Sequence, residues 1–259
     1  MSAAPLRWQR GALVPESACD LGKPRLLVAD SWLVHDGAVL AIDAHRERFT
    51  RSVASLADTI VADDELESFW DVAMAAIPPV GTWFPRVELE LVRDAPRLTA
   101  RIREAPARRT TAVLATVTGP DPRTAPTVKG PDLAAMQRLR TAVQPRGADE
   151  AVIVVDGIVV EGAHSPLLWW RDGVLHAPPA SAPRIPSVTA AEVLAVALEA
   201  GVPVHETAAA PDDLDGTELW VCSALHGIRV ATGWIDGPAL VHEPGRREAW
   251  AAALEQRRR

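Results

Sequence analysis

Tyrosine is absent from this 259-residue chain, and lysine nearly so. Without a phenol, no tyrosyl oxygen can act as acid, base or ring-oxygen partner anywhere in the protein. Two cysteines, Cys19 and Cys222, are too few and too far apart for a disulfide framework or a zinc site. No apolar stretch reaches the ~20 residues of a membrane span. The N-terminal "MSAAPLRWQRGALVPESACD" also lacks the apolar core of a signal peptide. These absences point to a cytoplasmic protein. A net charge of −7 argues against a nucleic-acid footprint, and Arg257–Arg259 reads as a solvated tail. No P-loop, G-x-G-x-x-G, G-x-S-x-G or H-E-x-x-H pattern occurs, and the seven histidines show no metal-ligand spacing. No metal is expected.

What is present is globular: 48% hydrophobic and 24% charged residues fit a packed chain of one large or two ordinary domains. Of the 27 basic residues only Lys23 and Lys129 are lysines. Arginine does almost everything a surface cation does here, so Lys129 in "TAPTVKGPD" calls for a reason. Lysine can lose a proton when desolvated and attack a carbonyl, which guanidinium cannot do. Schiff-base chemistry requires that ability. The plain alternative is a leftover surface charge.

Along the chain, "PRLLVADSWLVHDGAVLAID" (24–43) reads as two strands joined by a turn at Asp36-Gly37. "AHRERFTRSVASL" and residues 64–76 have helical patterns, the second acidic at its start as the helix dipole prefers. "WFPRVELELVR" and "PRLTARIREAP" alternate as half-buried strands do, and "TTAVLATV" is a continuous apolar run. "TGPDPRTAP" (118–126), with three prolines and a glycine, is the expected linker. A helix from about 130 to 143 follows. Strands come next, with turns at Asp156-Gly157 and Asp172-Gly173, then a helix over "SVTAAEVLAVALEAG" that Gly201 stops. Two further strand segments and a closing helix, "PGRREAWAAALEQ", complete the chain.

The run "TVKGPDLAAMQRLR … GADEAVIVVDGIVVEGAHSPLLWWRDGVLHAPP … IPSVTAAEVLAVALEAGVPVHE … ELWVCSALHGIRVATGWIDG" resembles the fold-type IV pyridoxal-phosphate enzymes. This group includes branched-chain and D-amino-acid aminotransferases and 4-amino-4-deoxychorismate lyases. Upstream, His45, Arg48 and Ser52 match the group's H-x-x-R-L-x-x-S stretch. The resemblance covers roughly residues 26–240 and implies a two-domain α+β fold, a homodimer, and pyridoxal 5′-phosphate as cofactor. The expected division is an N-terminal domain over 1–117, the linker over 118–126, and a cofactor-binding domain over 127–259.

By the same resemblance, Lys129 matches the lysine that carries the cofactor and then serves as base at the substrate's Cα. Glu161 matches the carboxylate facing the pyridine nitrogen, a match that "GADEAVIVVDG" upstream supports over the alternative of a turn residue at a strand end. Arg48 matches the phosphate-binding arginine, whose fork suits a dianion, though beside Arg46 and Arg51 it could equally be a solvent-facing helical residue. In "IPSVTAAE" the N–H groups of Val188 and Thr189 match a phosphate-cradling turn. Ordinary N-capping by Ser187 or Thr189 explains the same residues. In "CSALHGIRV", Ser223 and Ala224 match a second phosphate and substrate-carboxylate turn, with alanine where the group has a hydroxyl. His164 and His226 lie beside these positions and read as structural. Other departures are Pro166 for the usual asparagine, Ser187 for a glycine, and "VADSWLV" where the group has an acidic-aromatic strand. Ala134 replaces the tyrosine found five residues after the lysine in branched-chain aminotransferases. That last change, with "CSAL" and the K-x-x-D helix start, favours a lyase acting on 4-amino-4-deoxychorismate. An aminotransferase and a non-catalytic relative are the alternatives. Trp32, Trp169 and Trp170 would suit an aromatic substrate, but tryptophan in a strand is more often core.

Overall fold

A computed structural model describes residues 4–16, 24–56, 61–117 and 119–259. Lys23 and Cys19 lie outside the described residues. The chain forms two compact units, one of residues 1–107, 128–131 and 258–259, the other of residues 108–127 and 132–257.

The first unit opens with a hairpin of β1 (Leu6–Gln9) and β2 (Ala12–Pro15) that the sequence reading did not assign. Its turn, Arg10-Gly11, has positive φ at both positions but lacks the Asn-Gly or Asp-Gly signature. Next come β3 (Arg25–Ser31), β4 (Val34–His35) and β5 (Ala38–Val39). The turn at Asp36-Gly37 forms as expected. However, it joins the two short strands β4 and β5 rather than returning the chain along β3. Helices α1 (Ile42–Ala54) and α2 (Asp63–Ala75) follow, then β6 (Thr82–Trp83), β7 (Arg86–Val92) and β8 (Ala95–Arg101). The main sheet runs β2-β1-β8-β7-β3 and is antiparallel throughout; β4 sits between β5 and β6 in a second, smaller one. Strand alternation sends Val87, Leu89, Leu98 and Ala100 into a core with Trp32, Phe49, Phe69 and Trp70 from α1, α2 and the β3–β4 connection. The opposite face carries Glu88 and Glu90, buried beneath Arg86, Arg97 and Arg101.

The second unit is built on one eight-stranded sheet. Its elements are β9 (Thr111–Thr116), α3 (Leu133–Val143), β10 (Glu150–Val155), β11 (Ile158–Gly162), β12 (Leu167–Arg171), β13 (Val174–Ala177), α4 (Val188–Glu199), β14 (Val204–Glu206), β15 (Glu218–Ser223), β16 (Gly227–Ile235) and α5 (Arg246–Gln256). Strand order is β11-β10-β9-β16-β15-β12-β13-β14, with β9 parallel to both its neighbours. That central parallel placement explains why "TTAVLATV" is apolar without alternation. One face packs Leu114, Val152, Leu167, Trp169, Leu219 and Val221; the other packs Met136 and Val143 of α3 on Ala115, Ala151 and Ile153. Trp170, Trp220 and Trp250 pack edge to face, with Arg246 lying 4.6 Å from the Trp170 ring centre. Trp32, Trp169 and Trp170 are therefore core residues. Among the described residues no helix is long and apolar enough to cross a membrane.

Candidate functional site

In the first unit, α1 places His45, Arg48 and Ser52 on one buried face, because steps of three and four residues follow the helical repeat. Their focus is Asp30, wholly buried near the end of β3. Arg48 grips its carboxylate as a fork, Nε donating to Oδ2 at 2.8 Å and Nη2 to Oδ1 at 2.7 Å. His45 Nδ1 lies 2.8 Å from Oδ1, and the Ser31 N–H donates to the same oxygen at 2.7 Å. Burial pushes the Asp30 carboxyl up, but Arg48 and His45 outweigh it and hold it well below the ordinary 3.8. Burial, helped by the cations of Arg48 and Lys129, pulls His45 down from 6.5. The ring is then neutral near pH 7, and the ionised carboxylate requires its Nδ1 to be the donor. Ser52 Oγ donates to the Arg48 carbonyl at 2.8 Å and steadies the same turn.

Lys129 is seated on β3 by its main chain. The Ala29 N–H donates to the Lys129 carbonyl at 2.7 Å. Gly130 makes this approach possible: its φ is +145°, and a Cβ there would stand 2.8 Å from Val28 Cα and 2.9 Å from Ala29 N. Only glycine satisfies both the backbone angle and the contact. Gly130→Ala should therefore destabilise the protein by roughly 2 kcal/mol, read from the denaturation midpoint. An unchanged midpoint would mean that the seat is not needed. The structure thus gathers Lys129, Arg48, His45 and Asp30 in one unit, although the sequence separates them widely.

In the second unit, Glu161 is buried near the end of β11. Its Oε1 accepts from Arg123 Nη1 and, at 3.4 Å, from the Ile185 N–H. The turn after it is tied from behind: Glu150 accepts from the His164 N–H at 3.1 Å, Ser165 Oγ at 2.8 Å and Arg229 Nη2 at 3.2 Å. Ser187 caps α4, its hydroxyl accepting from the Ala190 N–H at 3.2 Å. The Val188 and Thr189 N–H groups, at the first two helical positions, have no acceptor within the helix. Ser223 Oγ accepts from the His226 N–H at 3.1 Å and so closes the turn that contains Ala224. The Ser223 hydroxyl still has its own proton to donate. Burial, reinforced by Arg229, Arg109, Arg140 and Arg108, pulls His226 down to about 4. Its neutral Nδ1 accepts from the Arg109 N–H at 3.1 Å. His164 gives its main-chain N–H to Glu150, and His226 is tied to Arg109 and Ser223. Burial pushes the Cys222 thiol up to about 12, which leaves it inert. Among the described residues no group of three or more His, Cys, Asp or Glu could hold a metal ion.

Sequence reading missed Arg123, Asp121 and Gly130, and used Asp132 only as part of the K-x-x-D pattern. The Pro-rich stretch read as a linker carries several of these ties. Asp132 accepts from the Thr124 and Ala125 N–H groups at 3.0 and 2.8 Å, and Arg123 clasps Asp121 through Nε and Nη2. A "D-P-R" in such a stretch gives no sign that its arginine side chain is only 2% exposed.

The first unit carries the Lys129 amine and the buried Arg48 guanidinium; the second carries the buried Glu161 carboxylate and the start of α4, a helix N-terminus of the kind that holds anions. By residue chemistry these types fit the polar groups of pyridoxal 5′-phosphate: an amine for its aldehyde, a guanidinium and helix N–H groups for its phosphate, and a carboxylate for its ring nitrogen.

The family profile described as amino-transferase class IV matches residues 27–234. The fold matches that of a hypothetical aminotransferase from Mycobacterium tuberculosis in its pyridoxal-phosphate-bound form, at 21% identity and TM-score 0.77, covering 98% of both chains. A branched-chain amino acid aminotransferase from Escherichia coli matches at 15% identity and TM-score 0.81, over 98% of this chain and 94% of that one. A provisionally assigned 4-amino-4-deoxychorismate lyase from Legionella pneumophila matches at 14% identity and TM-score 0.76, over 94% and 96%. No curated protein matches the sequence significantly. The fold is the fold-type IV architecture, and the chain belongs to the class IV aminotransferase family of pyridoxal-phosphate enzymes.

Proposed function

We propose that the protein is a 4-amino-4-deoxychorismate lyase, releasing 4-aminobenzoate and pyruvate. The observation that carries a catalytic role is the seating of Lys129: a chain with two lysines holds this one on β3 by a main-chain bond that only glycine at 130 permits. The choice of lyase over aminotransferase rests on the substrate side, where Ala134 stands in place of a tyrosine and no other phenol exists.

In this reading Lys129 Nζ holds the cofactor. The Val188 and Thr189 N–H groups, the Ser223 hydroxyl, the Ala224 main chain and Arg48 are the groups assigned to its phosphate. Because Asp30 already matches the charge of Arg48, the main-chain donors carry more of the phosphate's hold. Glu161 keeps a proton on the ring nitrogen. Bound cofactor supplies an electron sink for charge developing at the amine-bearing carbon. Lys129 takes the proton from that carbon, the enolpyruvyl C–O bond breaks, and the ring becomes aromatic. A homodimer of this chain is part of the same reading.

Incubating the protein with 4-amino-4-deoxychorismate and no keto acid is the test. The expected result is equal amounts of pyruvate and 4-aminobenzoate. The contrary result is a visible absorbance that bleaches with an amino acid and returns only on adding 2-oxoglutarate or another keto acid, with no 4-aminobenzoate formed. That cycle would make the protein an aminotransferase.

A further inference from the structure

Arg123 lies between two carboxylates. Its Nε is 3.0 Å from each oxygen of Asp121 and its Nη2 is 2.7 Å from Oδ2, while Nη1 faces Glu161 Oε1. The arginine and Glu161 side chains are 2% and 6% exposed, and that of Asp121 is 20% exposed. Partial burial pushes the Asp121 carboxyl up, but its bonds to Arg123 prevail and hold it below its ordinary value. Asp121 is therefore ionised near pH 7, and two carboxylates stand against one guanidinium. An isolated Arg123–Glu161 pair would be neutral and would offer little to a cation. By formal count, adding Asp121 gives the triad one negative charge in surplus, in a region where water screens it poorly.

We propose that Asp121 and Arg123 are positioning residues for Glu161. Arg123 fixes the orientation of the Glu161 carboxylate. Asp121 offsets the charge of Arg123, so that Glu161 still meets a protonated ring nitrogen with net negative charge. This rests on the reading that Glu161 faces that nitrogen. The triad explains two things at once: why an arginine is buried in a Pro-rich segment, and why a carboxylate already holding an arginine can serve a second cation.

The test compares binding of two ligands to the full chain freed of cofactor, followed by tryptophan fluorescence. One is pyridoxal 5′-phosphate; the other is its carbocyclic analogue, in which a C–H replaces the ring nitrogen. Asp121→Asn is expected to weaken pyridoxal 5′-phosphate on the order of tenfold, with the analogue unaffected, and Asp121→Glu to restore affinity by restoring charge. Equal weakening of both ligands would make Asp121 a merely structural residue and overturn the proposal, as would no weakening of either. Glu161→Gln in the same assay separates the two levels of inference. If it discriminates between the ligands and Asp121→Asn does not, the triad proposal alone fails. If it does not discriminate, the placement of Glu161 fails and the proposal falls with it.

Discussion

Exchange of Lys129 for arginine should lower turnover by roughly 10³-fold or more, while the protein stays folded and still takes up cofactor without a covalent bond. Arginine keeps the positive charge that reaches His45. Its guanidinium stays protonated throughout the accessible pH range, so it can neither attack an aldehyde nor accept a proton from carbon. The seat on β3 is made by the carbonyl of residue 129 and by Gly130, neither of which the exchange touches. The melting temperature should therefore hold, while the visible absorbance of the lysine-bound cofactor disappears. A variant that keeps a tenth of the activity would remove Lys129 from the chemistry.

Glu161→Gln should slow turnover on the order of 10²-fold, equivalent to a few kcal/mol, with a smaller effect on cofactor affinity. The amide has nearly the same shape, and its oxygen can still accept from Arg123 Nη1 and the Ile185 N–H. What is lost is charge, so the ring nitrogen no longer has an ionic partner to keep its proton. A neutral ring absorbs carbanion charge poorly. Unchanged turnover would make Glu161 an ordinary turn residue at the end of β11.

Local features were the legible part of this fold. Asp36-Gly37, Asp156-Gly157 and Asp172-Gly173 all take positive φ and all turn the chain where the dipeptide said they would. The helical repeats at 42–54 and 188–199 were equally plain, since one buried stripe recurs every three to four residues. Arg10-Gly11 makes the same kind of turn without the same signal, and its hairpin passed unnoticed. Pairing across distance left no local mark either. Nothing near Asp30 announces that Arg48 and His45 will converge on it. Arg123 meets Glu161 from 38 residues away, out of a stretch whose prolines suggest a connector. Gly130 looks like part of a turn beside Pro131. Its purpose, a close approach to Val28 and Ala29, depends on a strand some hundred positions earlier in the chain.

The most direct measurement is where the cofactor attaches. The protein, reconstituted with pyridoxal 5′-phosphate and reduced with borohydride, can be digested and its peptides mapped by mass spectrometry. The expected result is a single reduced adduct on Lys129, within the peptide that carries "TAPTVKGPD". An adduct on Lys23, or none after reconstitution, would contradict the assignment of Lys129 and, with it, the catalytic reading built on that residue.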